Sequence, residues 1–392
     1  MAAPEPRPGR GRRLAGPADV ATPFTAARQY LNGTSGHHDE LPMARPTIAV
    51  ARQVFHDELV LLGMRLFSPP GEADAPARVD AEVRAALDFY GQQGWLDNPE
   101  GYFATPPTLT DVRLAATTIR GQAMQNLTFD SGYQPHPSEP GRDRWLTYAA
   151  NRGEHALVLR HREPRPWLVC VHGALMGRGA VDLRLFRARY LHTELGLNVV
   201  LPVLPLHGPR KTKGAAFPGQ DLLDDVHAAA QAVWDIRRLI SWIRTQEPDA
   251  KVGLNSMSLG GYISSLVASV EDGLTCAVLG VPVADLIEVL GGNGGLREGD
   301  PRNETLALAR PIGRMVSPLS LRPRVPIEGR FIYGGVADRL VNPRDQVMRL
   351  WEHWGRPEII WYQGAHTGFF RSRPVQDFID AALRQSGLVS AG

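Results

Sequence analysis

Cysteine is nearly absent from the 392-residue chain: only Cys170 and Cys276 occur, each inside an apolar run (W-L-V-C-V and T-C-A-V-L). Thiols so placed read as buried, which excludes a disulfide framework and any cysteine-based metal spacing. Lysine is almost as scarce. Lys211, Lys213 and Lys251 stand alone, so arginine carries nearly all the positive charge, a compositional bias without functional meaning. Net charge is lacking too: 43 basic residues against 41 acidic ones leave +2. That argues against nucleic acid or an anionic surface as the main partner. No run approaches the roughly 18–20 apolar residues of a membrane span, so no stable membrane insertion is expected. Arg7, Arg10, Arg12 and Arg13 precede no apolar stretch, so neither a secretory nor a twin-arginine signal is expected. The default expectation is a soluble cytoplasmic protein of unspecified oligomeric state.

What is present divides into three segments. Residues 1–47 form a leader, rich in Pro, Gly and Arg at its start and expected to be disordered or irregular. His37 and His38 lie in it beside Asp39, lack a third partner for a metal, and read as solvated. Residues 48–107 form a helical N-terminal extension. The spacing of Val50, Val54, Leu59, Leu62 and Leu66 predicts a helix over 46–67, and a second follows over 80–90. This segment carries no chemical motif; it is expected to pack on the main body and to wall its pocket. From 108 the pattern turns to strands. Leu127–Phe129, Trp145–Tyr148 and Ala156–Leu159 predict antiparallel opening strands. Continuous apolar runs then alternate with helical spacing: Trp167–Val171, Leu197–Leu204, the strand at Val252, Cys276–Val281, Phe331–Gly334 and Ile359–Tyr362. That alternation specifies an α/β class, a mostly parallel central sheet with helices on both faces. Ligands in such sheets bind beyond the carboxyl ends of the strands.

The chain is organised around V-G-L-N-S-M-S-L-G-G-Y at 252–262. Strand, sharp turn and helix put Ser258 at an apex, where its oxygen is exposed while its backbone stays rigid. The pattern is S-x-S-x-G, with Ser256 where a glycine is usual, a mild departure. Three other strand ends carry polar loops. After Trp167–Val171 comes His172-Gly173-Ala174, whose backbone N–H at Gly173 or Ala174 can pair with the N–H of Leu259 to bind an oxyanion. The His172 side chain reads as structural. Asp338 follows Phe331–Gly334 in G-V-A-D-R-L-V, and His366 follows Ile359–Tyr362 in Q-G-A-H-T-G-F-F. The order nucleophile, acid, base is that of serine hydrolysis on this architecture. Asp285, after Cys276–Val281, competes as the acid but reads better as a helix cap. His207 and Arg210 sit in a loop at the same sheet edge and are expected to be structural, with Arg210 pairing a surface acid. Trp234, Asp235, Arg237 and Arg238 are expected to supply packing and an ion pair.

Over residues 145–386 these motifs (W-L-V-C-V-H-G, P-L-H-G-P-R, N-S-M-S-L-G-G-Y, G-V-A-D-R-L-V and G-A-H-T-G-F-F) resemble the α/β-hydrolases. L-P-L-H-G-P-R together with W-D-I-R-R is similar to bacterial members of the group called alpha/beta hydrolase domain-containing protein 18. The resemblance implies Ser258 as nucleophile, His366 as base, Asp338 as orienting acid, and Ala174 and Leu259 as oxyanion donors. It implies no cofactor and no metal, and a small-molecule ester or lipid-like substrate. The expected activity is acyl ester hydrolysis. An acyltransferase or peptidase on the same residues, or a binding protein on the same fold, stays open at this stage.

Overall fold

The computed structural model describes residues 41–67, 75–293 and 299–389. The leader through residue 40, with His37 and His38, lies outside the described residues, as does the stretch between the first two helices. Helix α1 spans Ile48–Phe67 and α2 spans Ala75–Gln92, starting five residues before its apolar pattern. Pro76 sits in its first turn, where a missing N–H costs nothing.

Strands β1 (Arg113–Ile119) and β2 (Gln122–Asp130) form a hairpin through Arg120 and Gly121, at φ 50° and 78°. The expected strand at Trp145–Tyr148 is instead a short helix, α3 (Arg142–Thr147). One tryptophan there is buried, with its Nε1 donating to Gln231 Oε1 at 3.0 Å, while Arg144 reaches out to Glu82, Asp221 and Asp224. A single inward residue beside a charged one fits a helical turn.

The chain then alternates. β3 is Gly153–Leu159 and β4 is Trp167–Val171. Helices α4 (Gly179–Leu185) and α5 (Ala188–Thr193) are split at Arg187, which turns to φ 52°. Next come β5 (Asn198–Pro202), the long α6 (Leu222–Gln246), β6 (Val252–Met257), α7 (Leu259–Val270) and β7 (Cys276–Gly280). Three short helices follow: α8 (Leu286–Asn293), α9 (Pro301–Leu308) and α10 (Arg310–Met315). β8 (Arg330–Gly335), α11 (Arg349–His353), β9 (Glu358–Tyr362) and α12 (Arg373–Gln385) complete the described chain.

Among the described residues nine strands form one sheet in the order β1-β2-β3-β5-β4-β6-β7-β8-β9. β1–β2, β2–β3 and β3–β5 pair antiparallel, and the rest run parallel. Every residue of β4, β5, β6 and β7 is buried, as a sheet covered on both faces requires. One face packs on α2, α6, α7 and α10, and the other on α5 and α12. Val79, Val83, Ala86 and Tyr90 of α2 belong to the same core as the sheet. Val50 and Val54 of α1 pack instead on Val336, Ala337 and Ala365, in the loops beyond β8 and β9. Cys170 and Cys276 are buried free thiols. No helix among the described residues is long and apolar enough to cross a membrane.

This is the α/β-hydrolase arrangement. The strand order sets the carboxyl ends of β4, β6, β7, β8 and β9 side by side, so loops far apart in sequence meet at one edge.

Candidate active site

Ser258 joins β6 to α7 at φ 57°, ψ −122°, a conformation that costs a non-glycine residue about 1–3 kcal/mol. Its neighbours hold it there. The Ser258 N–H donates to Gly280 O at 2.8 Å, and its carbonyl accepts from Tyr262 N at 3.2 Å. The two glycines after it leave no alternative. A Cβ on Gly260 would stand 2.1 Å from Val171 O, and one on Gly261 would stand 2.8 Å from Pro282 Cβ. Ser256 is fully buried and donates a long 3.5 Å bond to Val278 O on β7, so its extra hydroxymethyl group is accommodated.

Three strand ends converge here. His366 Nε2 lies 3.0 Å from Ser258 Oγ, and His366 Nδ1 lies 2.7 Å from Asp338 Oδ2. A carboxylate only accepts, so Nδ1 carries the ring proton and Nε2 presents its lone pair to the serine hydroxyl. Burial pushes the imidazole down, but the charge and hydrogen bond of Asp338, with a smaller contribution from Asp57, carry it above its ordinary value. Asp338 is itself fixed: Oδ1 accepts from Leu340 N at 2.9 Å and Val341 N at 2.8 Å. Asp285 is elsewhere. Its Oδ1 accepts from Glu288 N at 3.0 Å in the first turn of α8, a helix cap.

The loop after β4 runs over the elbow, with a Cβ on Gly173 lying 3.2 Å from Ser258 Cβ. His172 is structural. Its Nε2 accepts from Leu204 N at 3.0 Å, so its Nδ1–H donates to Gly173 O at 2.7 Å. Burial, then the neighbouring His207, drives this imidazole down to about 3, so it stays neutral. Because the peptide unit is trans and planar, fixing the Gly173 carbonyl turns the Ala174 N–H to the opposite side. Leu259 is the first residue of α7, where an N–H has no intrahelical acceptor.

Arg210 does not reach the site and does not pair a surface acid. It is fully buried between Glu154 and Asp235, donating from Nη2 to Asp235 Oδ2 at 2.8 Å and from Nη1 to Glu154 Oε2. It also donates to the carbonyls of Val203 and Asn151. The L-P-L-H-G-P-R and W-D-I-R-R motifs therefore meet through one ion pair. Trp234 donates to Ser131 O at 2.8 Å, and Arg237 pairs with Glu271 at 2.9 Å.

One element against the site had no motif. Helix α1 lays Gln53, Asp57 and Glu58 against the acid and histidine loops. Gln53 Oε1 accepts from Ala365 N at 3.0 Å, and Glu58 pairs with the Arg339 side chain at 2.6 Å. Asp57 Oδ2 accepts both His366 N at 2.9 Å and Arg339 N at 3.1 Å. The buried face of α1 runs through Val50, Val54, Asp57 and Leu61 and not through Leu59, which is exposed, so the helix forms as expected but its inward stripe differs and carries an acid.

No family model matches the chain. In overall structure it is similar to acetyl xylan esterase 1 from Thermoanaerobacterium sp. JW/SL YS485, with a TM-score of 0.54 at 16% identity over 76% of this chain and 93% of that one. An acetyl xylan esterase from Paenibacillus sp. R4 gives a TM-score of 0.52 at 16% identity, over 81% and 98% of the two chains. At such identities the likeness carries the fold. Sequence relatives are far nearer. Two proteins of Mycobacterium tuberculosis, from strains CDC 1551 and H37Rv, bear the names Uncharacterized protein MT2702 and Uncharacterized protein Rv2627c. They are 63% and 62% identical over 373 residues, covering 94% of this chain and 90% of theirs. The chain belongs to the family of these two mycobacterial proteins, built on the α/β-hydrolase fold.

Proposed function

We propose that the protein is a cofactor-free serine hydrolase of carboxylic esters. The observation that carries this reading is the continuous chain Asp338–His366–Ser258 at 2.7 Å and 3.0 Å, ending on a serine at a strained apex. Ser258 Oγ attacks the ester carbonyl carbon while His366 Nε2 takes its proton, and Asp338 stabilises the imidazolium as it forms. The tetrahedral oxyanion is held by the N–H groups of Leu259 and Ala174. Collapse expels the alcohol, protonated by His366, and leaves an acyl-serine. Water, deprotonated by the same nitrogen, then releases the acid. The closer likeness to the alpha/beta hydrolase domain-containing protein 18 group stays part of this reading through the L-P-L-H-G-P-R and W-D-I-R-R motifs. Residues 108–392 form the hydrolase body in this reading, with 48–107 as an extension docked on it.

The test is labelling with a fluorophosphonate, followed by turnover of p-nitrophenyl esters of increasing acyl length. Ser258→Ala should abolish labelling and lower kcat by about 10⁶ while the melting temperature is kept. Labelling that persists on the variant, at Ser256 for instance, would overturn the assignment.

A further inference from the structure

We propose that Asp57 on α1 is a positioning residue of the active site, holding the histidine loop and the acid loop in register through one carboxylate oxygen. This rests on the hydrolase reading above and extends it: the N-terminal segment supplies part of the machinery. The geometry is specific. Asp338 and His366 stand on separate loops, after β8 and β9, and their 2.7 Å bond survives only while those loops keep their spacing. Asp57 Oδ2 takes the backbone N–H of His366 itself, and also that of Arg339, the residue after the acid. One atom thus bridges both loops from a helix more than 280 residues away in sequence. Around this bridge Gln53 binds Ala365 N, Glu58 binds the Arg339 side chain, and Val50 and Val54 pack on Val336, Ala337 and Ala365. Each of these contacts ties α1 to a residue within three of Asp338 or His366.

Asp57 is wholly buried, and its other oxygen, Oδ1, has no hydrogen-bond partner among the described residues. A buried, half-satisfied carboxyl is costly to keep, and what it returns here is an acceptor for two backbone N–H groups. The groups facing it are Asp338, His366 and Tyr362, with the Glu58–Arg339 pair alongside. Burial, then the charge of Asp338, pushes the Asp57 carboxyl up to about 7. When it ionises, its charge favours the imidazolium form of His366. Because the neutral imidazole is the base, removing that charge, over the range in which Asp57 is ionised, moves the acid limb of the rate profile to lower pH.

The experiment uses the full chain with a fluorophosphonate and a p-nitrophenyl ester, comparing wild type, Asp57→Ala, Asp57→Asn and Val54→Ala. Asp57→Ala should cut the labelling rate and kcat by about 10²–10³ with KM changed much less, because the reacting groups fall out of alignment. Asp57→Asn keeps a carbonyl oxygen for both N–H groups. It should recover most of that loss and shift the acid limb downward. Val54→Ala loosens the same helix without touching a polar group, so it should lower the melting temperature and leave the acid limb in place. Should Asp57→Ala fail to fold, Asp57→Ser, which shortens the side chain, replaces it in the same comparison with Asp57→Asn. A wild-type rate for the shortened variant, or an Asp57→Asn rate no better than it, would overturn the role of Asp57 while leaving the hydrolase reading intact. A wild-type protein that takes up no fluorophosphonate would overturn that reading and this one with it.

Discussion

Replacing Asp338 by asparagine is the most discriminating change the site offers, because the structure dictates which way the new amide must face. Asp338 Oδ1 accepts two backbone N–H groups, from Leu340 and Val341, and Oδ2 accepts Nδ1–H of His366. In asparagine only one atom can accept. Turning the NH₂ group toward Leu340 and Val341 would strand two backbone donors, at roughly 1–3 kcal/mol for the buried one at Val341 and less for the half-buried one at Leu340. The carbonyl oxygen therefore stays at Oδ1, and the NH₂ group takes the place of Oδ2. It then donates to His366 Nδ1, which must give up its proton. The imidazole changes tautomer, and Nε2 meets Ser258 Oγ as a donor, unable to accept the serine proton. Tautomer loss of this kind lowers kcat by roughly 10⁴ in other serine triads, equivalent to about 5 kcal/mol. The expected outcome is such a loss in p-nitrophenyl ester turnover, with KM and melting temperature close to wild type. Asp285→Asn is the control: it weakens the cap of α8, costing about 1 kcal/mol or less of stability and little rate. An Asp338→Asn rate within tenfold of wild type would refute the argument, and a reversed pair of phenotypes would transfer the acid to Asp285.

Gly260→Ala should remove about 3 kcal/mol or more and largely abolish soluble, labelled protein, because its Cβ would meet two backbone oxygens at 2.1 Å and 2.5 Å; a denaturant midpoint near wild type would show that the elbow can open. Arg210→Ala should cost about 3–5 kcal/mol in denaturant unfolding by leaving Glu154 and Asp235 buried without a cation. Burial already holds both carboxyls above their ordinary value, and losing the guanidinium raises them further. Folding then favours their protonated forms, so the loss grows as pH rises; a deficit that shrinks with pH would contradict this sign.

Legibility in the sequence followed burial. Strands β4, β5 and β7 are covered on both faces, so each reads as an apolar run whose ends fall within two residues of the structure, whereas β6 runs on through Asn255 and Ser256 to Met257, past its apolar start. Strand β1 is the opposite case. It is an edge strand with most residues exposed, and R-L-A-A-T-T-I carries no alternation because only one strand pairs with it. The failure at Trp145 is of another kind. W-L-T-Y has strand propensity, but Arg144 is drawn to Glu82, Asp221 and Asp224 on two other helices, and that tertiary attraction decides the conformation. Arg210 shows the same limit in energetic form. Its loop position was visible, but the acids that neutralise it come from β3 and α6, 56 and 25 residues away, and bury it completely.

At the site, the residues that read clearly are those whose local backbone also betrays them. Ser258 needs small neighbours on both sides, and Asp338 and His366 each sit in a glycine-flanked exit from a strand. Asp57 has no such local mark, since a helix tolerates aspartate at almost any exposed position. Its meaning lies in the phase of the helix. Val50, Val54 and Leu61 are buried, and Asp57 occupies the same stripe. An acid there either disrupts the packing or meets donors held ready on the opposing surface. The opposing surface is two loop termini whose N–H groups have no strand partner, so the helix supplies what a tenth strand would otherwise provide. The apolar spacing expected for α1 ran through Leu59, which is exposed, so periodicity did not single out Asp57. Only the crossing of the sheet could reveal that the partner is the backbone of the catalytic histidine candidate.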